Sequence, residues 1–333
     1  MRDYSQNTVL EVNNIKTKVR SDREEFSIIE DVSFHIDKGE TVGIVGESGC
    51  GKSITALSIM GLLPKNAEVV EGEINLNGTN LLNLNKDSYR KLRGKDMAMI
   101  FQDPMTSLNP VYTVGFQIYE LLKLHSNLSN RAAKEKAINM LKLVGIPRPD
   151  EVVNEYPHQL SGGMRQRVMI AMGLACDPGL LIADEPTTAL DVTIQAQILE
   201  LMKKIQFEFE MSILFITHDL GVVAETCDRV VVMYAGQVVE EAEVETLFAE
   251  PKHPYTKGLM ASTPKIGEHK DRLNTIEGTV PQLQEMPKGC RFADRCPQVM
   301  EKCRTQVPPK FNTASNTKCR CWLYEDEKEV VTI

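Results

Sequence analysis

The sequence predicts a mixed α/β fold, a mainly parallel sheet with helices on both faces, and three observations carry that expectation. Residues 41–53, TVGIVGESGCGKS, run from a buried-strand pattern straight into a glycine-rich turn, and ITALSIMGLL continues with helix-compatible apolar spacing. LLIADEP at 180–186 and SILFITH at 212–218 are short apolar runs bounded by acidic or polar residues, and they flank the helical stretch TIQAQILELMKKIQ. From about 112 to 145 the periodicity is helical, with Ala132, Ala133, Ala137, Met140, Leu141 and Val144 spaced as one apolar face.

Further along, RVVVMYAGQVVEEA at 229–242 reads as two strands around a glycine-containing turn. After it the texture changes: half of the 16 prolines lie in residues 251–333 and regular periodicity fades. A first domain over 8–250 and a separate, loop-rich extension over 251–333 are therefore expected. The tail EDEKEVVTI is expected to fray, and no internal repeat or low-complexity tract is present.

Composition narrows the function classes. No stretch approaches the roughly 18 uninterrupted apolar residues of a spanning helix, and MRDYSQNTVLEVNN has no apolar signal-peptide core, so a cytosolic chain is expected. The net charge is −8, which leaves no basic field to attract a phosphate backbone and removes nucleic acid as an expected partner. Of eight cysteines, Cys290, Cys296, Cys303, Cys319 and Cys321 fall within the last 44 residues. In a reducing compartment that clustering points to metal ligation before disulfides.

Gly46-Glu47-Ser48-Gly49-Cys50-Gly51-Lys52-Ser53 fits G-x-x-x-x-G-K-[ST], the loop whose backbone N–H groups turn inward on phosphate oxygens. Lys52 is expected to reach the β- and γ-phosphates and the Ser53 hydroxyl to ligate Mg²⁺, with Cys50 a small residue inside the loop. LLIADEP delivers Asp184 and Glu185 at a strand end, where ligands bind in open parallel sheets. Asp184 is expected in the Mg²⁺ shell, and Glu185 is expected to polarise the attacking water. LSGGMRQR at 160–167 places Ser161, Gly162 and Gly163 at a helix start, a second backbone anion site where one nucleotide needs only one.

These motifs, in this order, resemble the ATP-binding cassette (ABC) family, whose signature is LSGGQ; here Met164 stands where Gln is usual. The resemblance implies a P-loop NTPase core with an added antiparallel β subdomain and a helical subdomain over about 103–165. It also implies that two cassettes meet head to tail, so that Ser161, Gly162, Gly163 and the D-loop Asp191 close over ATP held by the other chain. Gln102 in MIFQDP corresponds to the Q-loop residue sensing Mg²⁺ and water, and His218 in FITHDL to the switch histidine on the γ-phosphate. For the adenine-stacking aromatic the candidate is Phe26, with Val19 or Arg20 as alternatives.

EYPHQLSGGMRQRVMIAMGLACDPGLLIADEPTTALDVTIQAQILELM, PKHPYTKGLM, LNTIEGTVPQL and PKGCRFADRCP are similar to the dipeptide and oligopeptide importer ATPases of bacteria, a subfamily that includes nickel importers. The implied function is ATP-driven peptide uptake at the cytoplasmic face of the cell membrane, with nickel uptake or a non-transport soluble ATPase as alternatives. The implied partners are a second, homologous ATPase in a heterodimer, two membrane permeases and an extracytoplasmic binding protein. The segment DPMTSLNPVYTVG is the expected permease socket.

Cys290 and Cys296 have five residues between them and Cys296 and Cys303 have six, wider than the C-x₂₋₄-C of structural zinc and unlike ferredoxin runs. Spacing alone supports a four-thiolate site without naming its occupant. The subfamily resemblance implies a [4Fe–4S] cluster on Cys290, Cys296, Cys303 and Cys321, the last chosen over Cys319 because it precedes Trp322; zinc is the alternative occupant.

Overall fold

The structure is a computed structural model that describes residues 7–21, 24–103, 107–188, 190–262, 275–313 and 317–327. Residues 328–333 of the tail expected to fray, 104–106 of the expected socket and 273–274 of LNTIEGTVPQL lie outside the described residues. Strands β1 (Thr8–Ser21), β2 (Glu24–Asp37), β3 (Thr41–Val45), β4 (Ala67–Leu76), β5 (Thr79–Asn80) and β6 (Met97–Ile100) precede the first long helices. They are followed by β7 (Leu180–Asp184), β8 (Ser212–Ile216), β9 (Arg229–Tyr234), β10 (Gln237–Glu243), β11 (Phe311–Thr313) and β12 (Thr317–Cys319). The chain divides into two compact units.

One unit comprises Met1–Leu10, Ile36–Glu40 and Asn83–Phe215. Its sheet runs β8-β7-β6, with β6 and β7 parallel and Met97 opposite Leu180. All five residues of β7 and of β8 are buried, the run without alternation that a strand covered on both faces requires. Helices Val114–His125 and Asn130–Leu143 begin at Thr113 and Ser129, whose hydroxyls accept from Phe116 N–H and Ala132 N–H at 3.3 Å each. The second helix buries Ala133, Ala137, Met140 and Leu141, four residues of the face read from the sequence; Ala132 stands half-buried at its edge. Helix Gly162–Leu174 carries the second glycine pair at its start.

The other unit comprises Glu11–His35, Thr41–Leu82 and Ile216–Ile333. It holds a sheet of order β2-β1-β4-β5 and a second of order β11-β12-β10-β9-β3. In the latter β3 and β9 are parallel, whereas β9 and β10 form the antiparallel hairpin expected from RVVVMYAGQVVEEA. Residues beyond Pro251 contribute β11 and β12, and β12 joins β10 with Cys319 opposite Glu240 and Lys318 opposite Glu241. The core here is Val45, Val230, Val232, Tyr234, Leu247, Tyr255 and Phe292, with Cys227, Cys290 and Cys296 packed against it. No helix among the described residues is long and apolar enough to cross a membrane.

Candidate nucleotide site

The strand β3 ends at Val45 and the helix Lys52–Met60 begins seven residues later, so Gly46–Gly51 form the turn between them. Gly46 has φ +153°, and a Cβ there would sit 2.2 Å from the Met233 carbonyl oxygen. No side chain fits that approach, which is what fixes glycine at the loop's first position. Lys52 is buried and donates from Nζ to the carbonyls of Gly46 at 2.7 Å and Glu47 at 3.1 Å. Cys50 Sγ also accepts from it at 3.9 Å, and a buried ammonium held by such neutral loop acceptors is a cation stationed where anionic oxygens would bind. Cys50 is buried within the turn, where burial first of all pushes its thiol up, and Ser53 lies in the helix's first turn.

Glu47 is gripped from outside the loop. Its N–H donates to the Tyr255 hydroxyl at 2.8 Å, and its carboxylate receives Arg295 through both Nη atoms, at 2.7 and 3.0 Å. Tyr255 is fully buried; its ring centroid lies 4.7 Å from that of Tyr234 and 5.4 Å from that of Phe292. Sequence reasoning missed Tyr255, Arg295 and Tyr234, because nothing in local pattern joins positions about two hundred residues apart.

In the other unit β7 delivers Asp184, buried, and then Glu185. Glu185 has φ +47°, the left-handed region that a side chain-bearing residue enters only when its surroundings impose it. Those surroundings are visible: Thr188 N–H donates to the Glu185 carbonyl at 3.1 Å, and Thr188 Oγ1 and Gln102 Nε2 donate to Glu185 Oε2 at 2.9 and 2.7 Å. Two donors thus aim one carboxylate, and two residues singled out by sequence, Gln102 and Glu185, are brought together.

Ser161 begins helix Gly162–Leu174, its Oγ accepting from Met164 N–H at 3.3 Å, and Ser161 and Gly162 are exposed. A Cβ on Gly163 would meet Ile194 Cγ2 at 2.9 Å, so the glycine permits close packing against the following helix. Gln166, buried on the same helix, donates to the Pro186 carbonyl beside Glu185. Asp191 starts helix Val192–Phe209 and accepts from Ile194 N–H at 2.9 Å, with Val192 exposed beside it.

His218 follows β8 on an exposed turn whose next residue, Asp219, starts helix Leu220–Thr226 and accepts from Gly221 N–H at 2.8 Å. Among the adenine candidates, Phe26 and Val19 are half-buried in β2 and β1, while Arg20 pairs with Glu25 and Glu68.

Cys290, Cys296, Cys303 and Cys321 line one pocket, walled by Phe292 and Trp322 among others, and Cys319 is not among its lining residues. Burial pushes the thiol of Cys290 up to about 11 and that of Cys321 up to about 12. Cys319 is buried instead in β12, where burial and then Glu240 push its thiol well up. Among the described residues no group of three or more His, Cys, Asp or Glu side chains is placed to hold a metal ion, so neither the expected [4Fe–4S] cluster nor the zinc alternative finds a ready ligand set here.

Comparison with known proteins agrees with this geometry. The family profile described as ABC transporter matches residues 29–188, and the profile of the oligopeptide/dipeptide transporter C-terminal region matches residues 239–303. The chain is 55% identical to the oligopeptide transport ATP-binding protein AppD of Bacillus subtilis, over 96% of this chain and 98% of that protein. It is 50% identical to the dipeptide transport ATP-binding protein DppD of Haemophilus influenzae, over 94% of each. Among solved structures, the dimeric post-hydrolysis state of the ATP-binding cassette MJ0796 bound to ADP and Pi superposes with a TM-score of 0.64 at 29% identity, covering 71% of this chain and 98% of that one. The loop around Lys52, the strand end at Glu185 and the cysteine-bearing C-terminal region thus lie on a chain that belongs to the ABC transporter ATPases, in their group of oligopeptide and dipeptide transport ATP-binding proteins.

Proposed function

We propose that this ATPase energises uptake of di- and oligopeptides into a bacterial cell, acting at the cytoplasmic face of the membrane as one half of a two-cassette clamp. The observation that carries the reading is the strained Glu185, aimed by Gln102 and Thr188, on the same chain as a peptide-transporter-type C-terminal region. The relatives named above are called oligopeptide and dipeptide proteins, which favours peptide over nickel as cargo.

The backbone of Gly46–Gly51 and Lys52 take the phosphates, Glu185 accepts the proton of the attacking water, and His218 and Gln102 contact the γ-phosphate side. Ser53 and Gln102, with Asp184 in the shell, would hold Mg²⁺, which when bound would supply neutralisation of the phosphate charge. The exposed Ser161, Gly162 and Asp191, with half-buried Gly163, would close over ATP held by a homologous partner cassette, a reading in keeping with the dimeric state of MJ0796. Hydrolysis then removes the γ-phosphate that bridges the two chains and the clamp reopens. Two membrane permeases, and an extracytoplasmic peptide-binding protein before them, complete the importer.

In the extension, four thiols line one pocket with no acidic side chain among its lining residues, a donor type that suits an iron–sulfur cluster or zinc alike; the resemblance to the peptide importers favours the cluster. Cys290, Cys296, Cys303 and Cys321 would hold the [4Fe–4S] cluster. When bound, it cross-links a proline-rich segment as a structural staple. The test of the transport reading is uptake of a labelled dipeptide and a labelled oligopeptide in cells whose only copy carries Glu185→Gln. Uptake should stop while ATP stays bound; continued uptake would sink the proposal.

A further inference from the structure

Three arginines of the extension, Arg291 and Arg320 buried and Arg295 half-buried, are each the sequence neighbour of a pocket cysteine. Arg291 follows Cys290 and pairs with Glu30 while donating to the Ala235 carbonyl; Arg320 precedes Cys321 and pairs with Asp31 while donating to the Val238 carbonyl at 3.2 Å. These two root the extension on the sheets of its own unit. The third, Arg295, precedes Cys296 and reaches the phosphate loop itself.

All five N–H bonds of the Arg295 guanidinium have an acceptor. Nε donates to the Glu277 carbonyl at 2.9 Å; Nη1 to Glu47 Oε2 at 2.7 Å and the Tyr234 hydroxyl at 3.4 Å; Nη2 to Glu47 Oε1 at 3.0 Å and the Ile276 carbonyl at 3.2 Å. The side chain is 5% exposed. A planar fork so fully engaged has one orientation, and it fixes the carboxylate it holds.

The charge of that carboxylate matters because of its address. Glu47 is the second residue of a loop built to receive a polyanion, and its carbonyl is one of the two that hold Lys52. A bare carboxylate there repels phosphate oxygens and competes for the lysine. We propose that Arg295 is a positioning residue for ATP binding: it neutralises Glu47 and holds its side chain on the extension, so that the cysteine-bearing segment sets the affinity of the phosphate loop. This rests on the loop's role as the ATP site and adds to it a control contributed from some 250 residues away.

The test measures the affinity of the full-length chain for a fluorescent MgATP analogue. Arg295→Met should weaken binding on the order of tenfold. Glu47→Gln added to Arg295→Met should restore affinity to within about twofold of wild type, because the repelling charge is gone; an arginine that merely supported the extension's fold would not be rescued from inside the loop. Arg304→Met, which removes a charge paired with exposed Asp294 in the same extension, should leave affinity unchanged. Trp322 fluorescence reports whether each variant is folded. Should Arg295→Met fail to fold, Arg295→Lys carries the same comparison with a smaller loss, about threefold, and the same rescue. Wild-type affinity in Arg295→Met, no rescue in the double variant, or an equal loss in Arg304→Met would each overturn the proposal. A wild-type chain that binds no MgATP would instead overturn the ATP reading beneath it.

Discussion

The loop Gly46–Gly51 and the segment around Ser161, proposed here as two anion cradles, both sit at helix N-termini, and they are supported in opposite ways. The loop is pinned from behind: Lys52 is buried, Glu47 is held by Tyr255 and Arg295, and Tyr255 leans on Tyr234 and Phe292. The signature segment presents Ser161 and Gly162 to solvent, and its helix is tied inward through Gln166 to the turn that carries Glu185. The first cradle is complete within its chain. The second is an exposed helix start, compatible with the proposed closure by another subunit.

The largest expected effect breaks the first support. Phe292 is 2% exposed and touches His253, Tyr234 and Tyr255 with its ring. Phe292→Ala should cost about 3–5 kcal/mol in urea unfolding followed through Trp322. The folded fraction should also bind ATP more weakly, since Tyr255 loses the ring it leans on. An unfolding midpoint shifted with ATP affinity unchanged would show that the aromatic cluster supports the extension and not the loop.

Next comes the turn behind the second cradle. Glu185→Gln should lower ATP hydrolysis on the order of 10²- to 10³-fold with nucleotide binding retained, because binding belongs to the loop and water activation to the carboxylate. Loss of binding in that variant would merge the two regions functionally. Thr188→Val removes one of the two donors on Glu185 Oε2 and should lower hydrolysis by a smaller factor, about tenfold.

A pH profile separates the regions more gently. His253, buried in the pocket wall, accepts Tyr255 N–H at Nδ1 at 3.1 Å, and burial lowers its pKa to about 3 from an ordinary 6.5. The folded state therefore holds it neutral while the unfolded chain protonates it. Its contribution is fully present above pH 6.5 and is lost as the pH falls from there toward 3, at up to about 1.4 kcal/mol per pH unit. His253→Asn, which keeps a side-chain acceptor for Tyr255 N–H and loses the titration, should flatten the Trp322 unfolding profile between pH 6.5 and 5. An unchanged slope would place the acid sensitivity elsewhere, with Glu241 the next candidate. There burial raises the carboxyl, but Lys318 and then Arg229 hold it below the ordinary range, so its contribution is lost only at more acidic pH.

The same contrast explains what the sequence could convey. Gly46, Lys52, Glu185 and Ser161 were legible because each motif is contiguous and its chemistry depends on local backbone form, a turn, a strand end or a helix start. The α/β alternation was legible for the same reason: β3, β7 and β8 are short apolar runs with punctuated ends. The grip of Arg295 and Tyr255 on Glu47 was not, since it joins residues more than two hundred positions apart through tertiary packing. The proline-rich texture after Pro251 also suggested a segment standing apart, yet β12 pairs with β10. Local periodicity does not report a three-residue strand.

The smallest predicted effect probes the open cradle most directly. Ser161 Oγ accepts from Met164 N–H, so Ser161→Ala removes an N-terminal helix cap and should cost about 1 kcal/mol of stability. A change that small leaves the chain folded, which isolates the second consequence: the hydroxyl is also lost from the exposed face proposed to meet the other subunit's ATP. ATP-driven association of Glu185→Gln cassettes, measured by light scattering, should therefore fall in the Ser161→Ala background by more than the stability change explains. Ser161→Asn, which restores a capping acceptor without the compact hydroxyl, separates the two roles. If it recovers both stability and association, the cap alone matters and the face is passive. Recovery of stability without association means that the exposed serine is part of the surface that a second cassette completes.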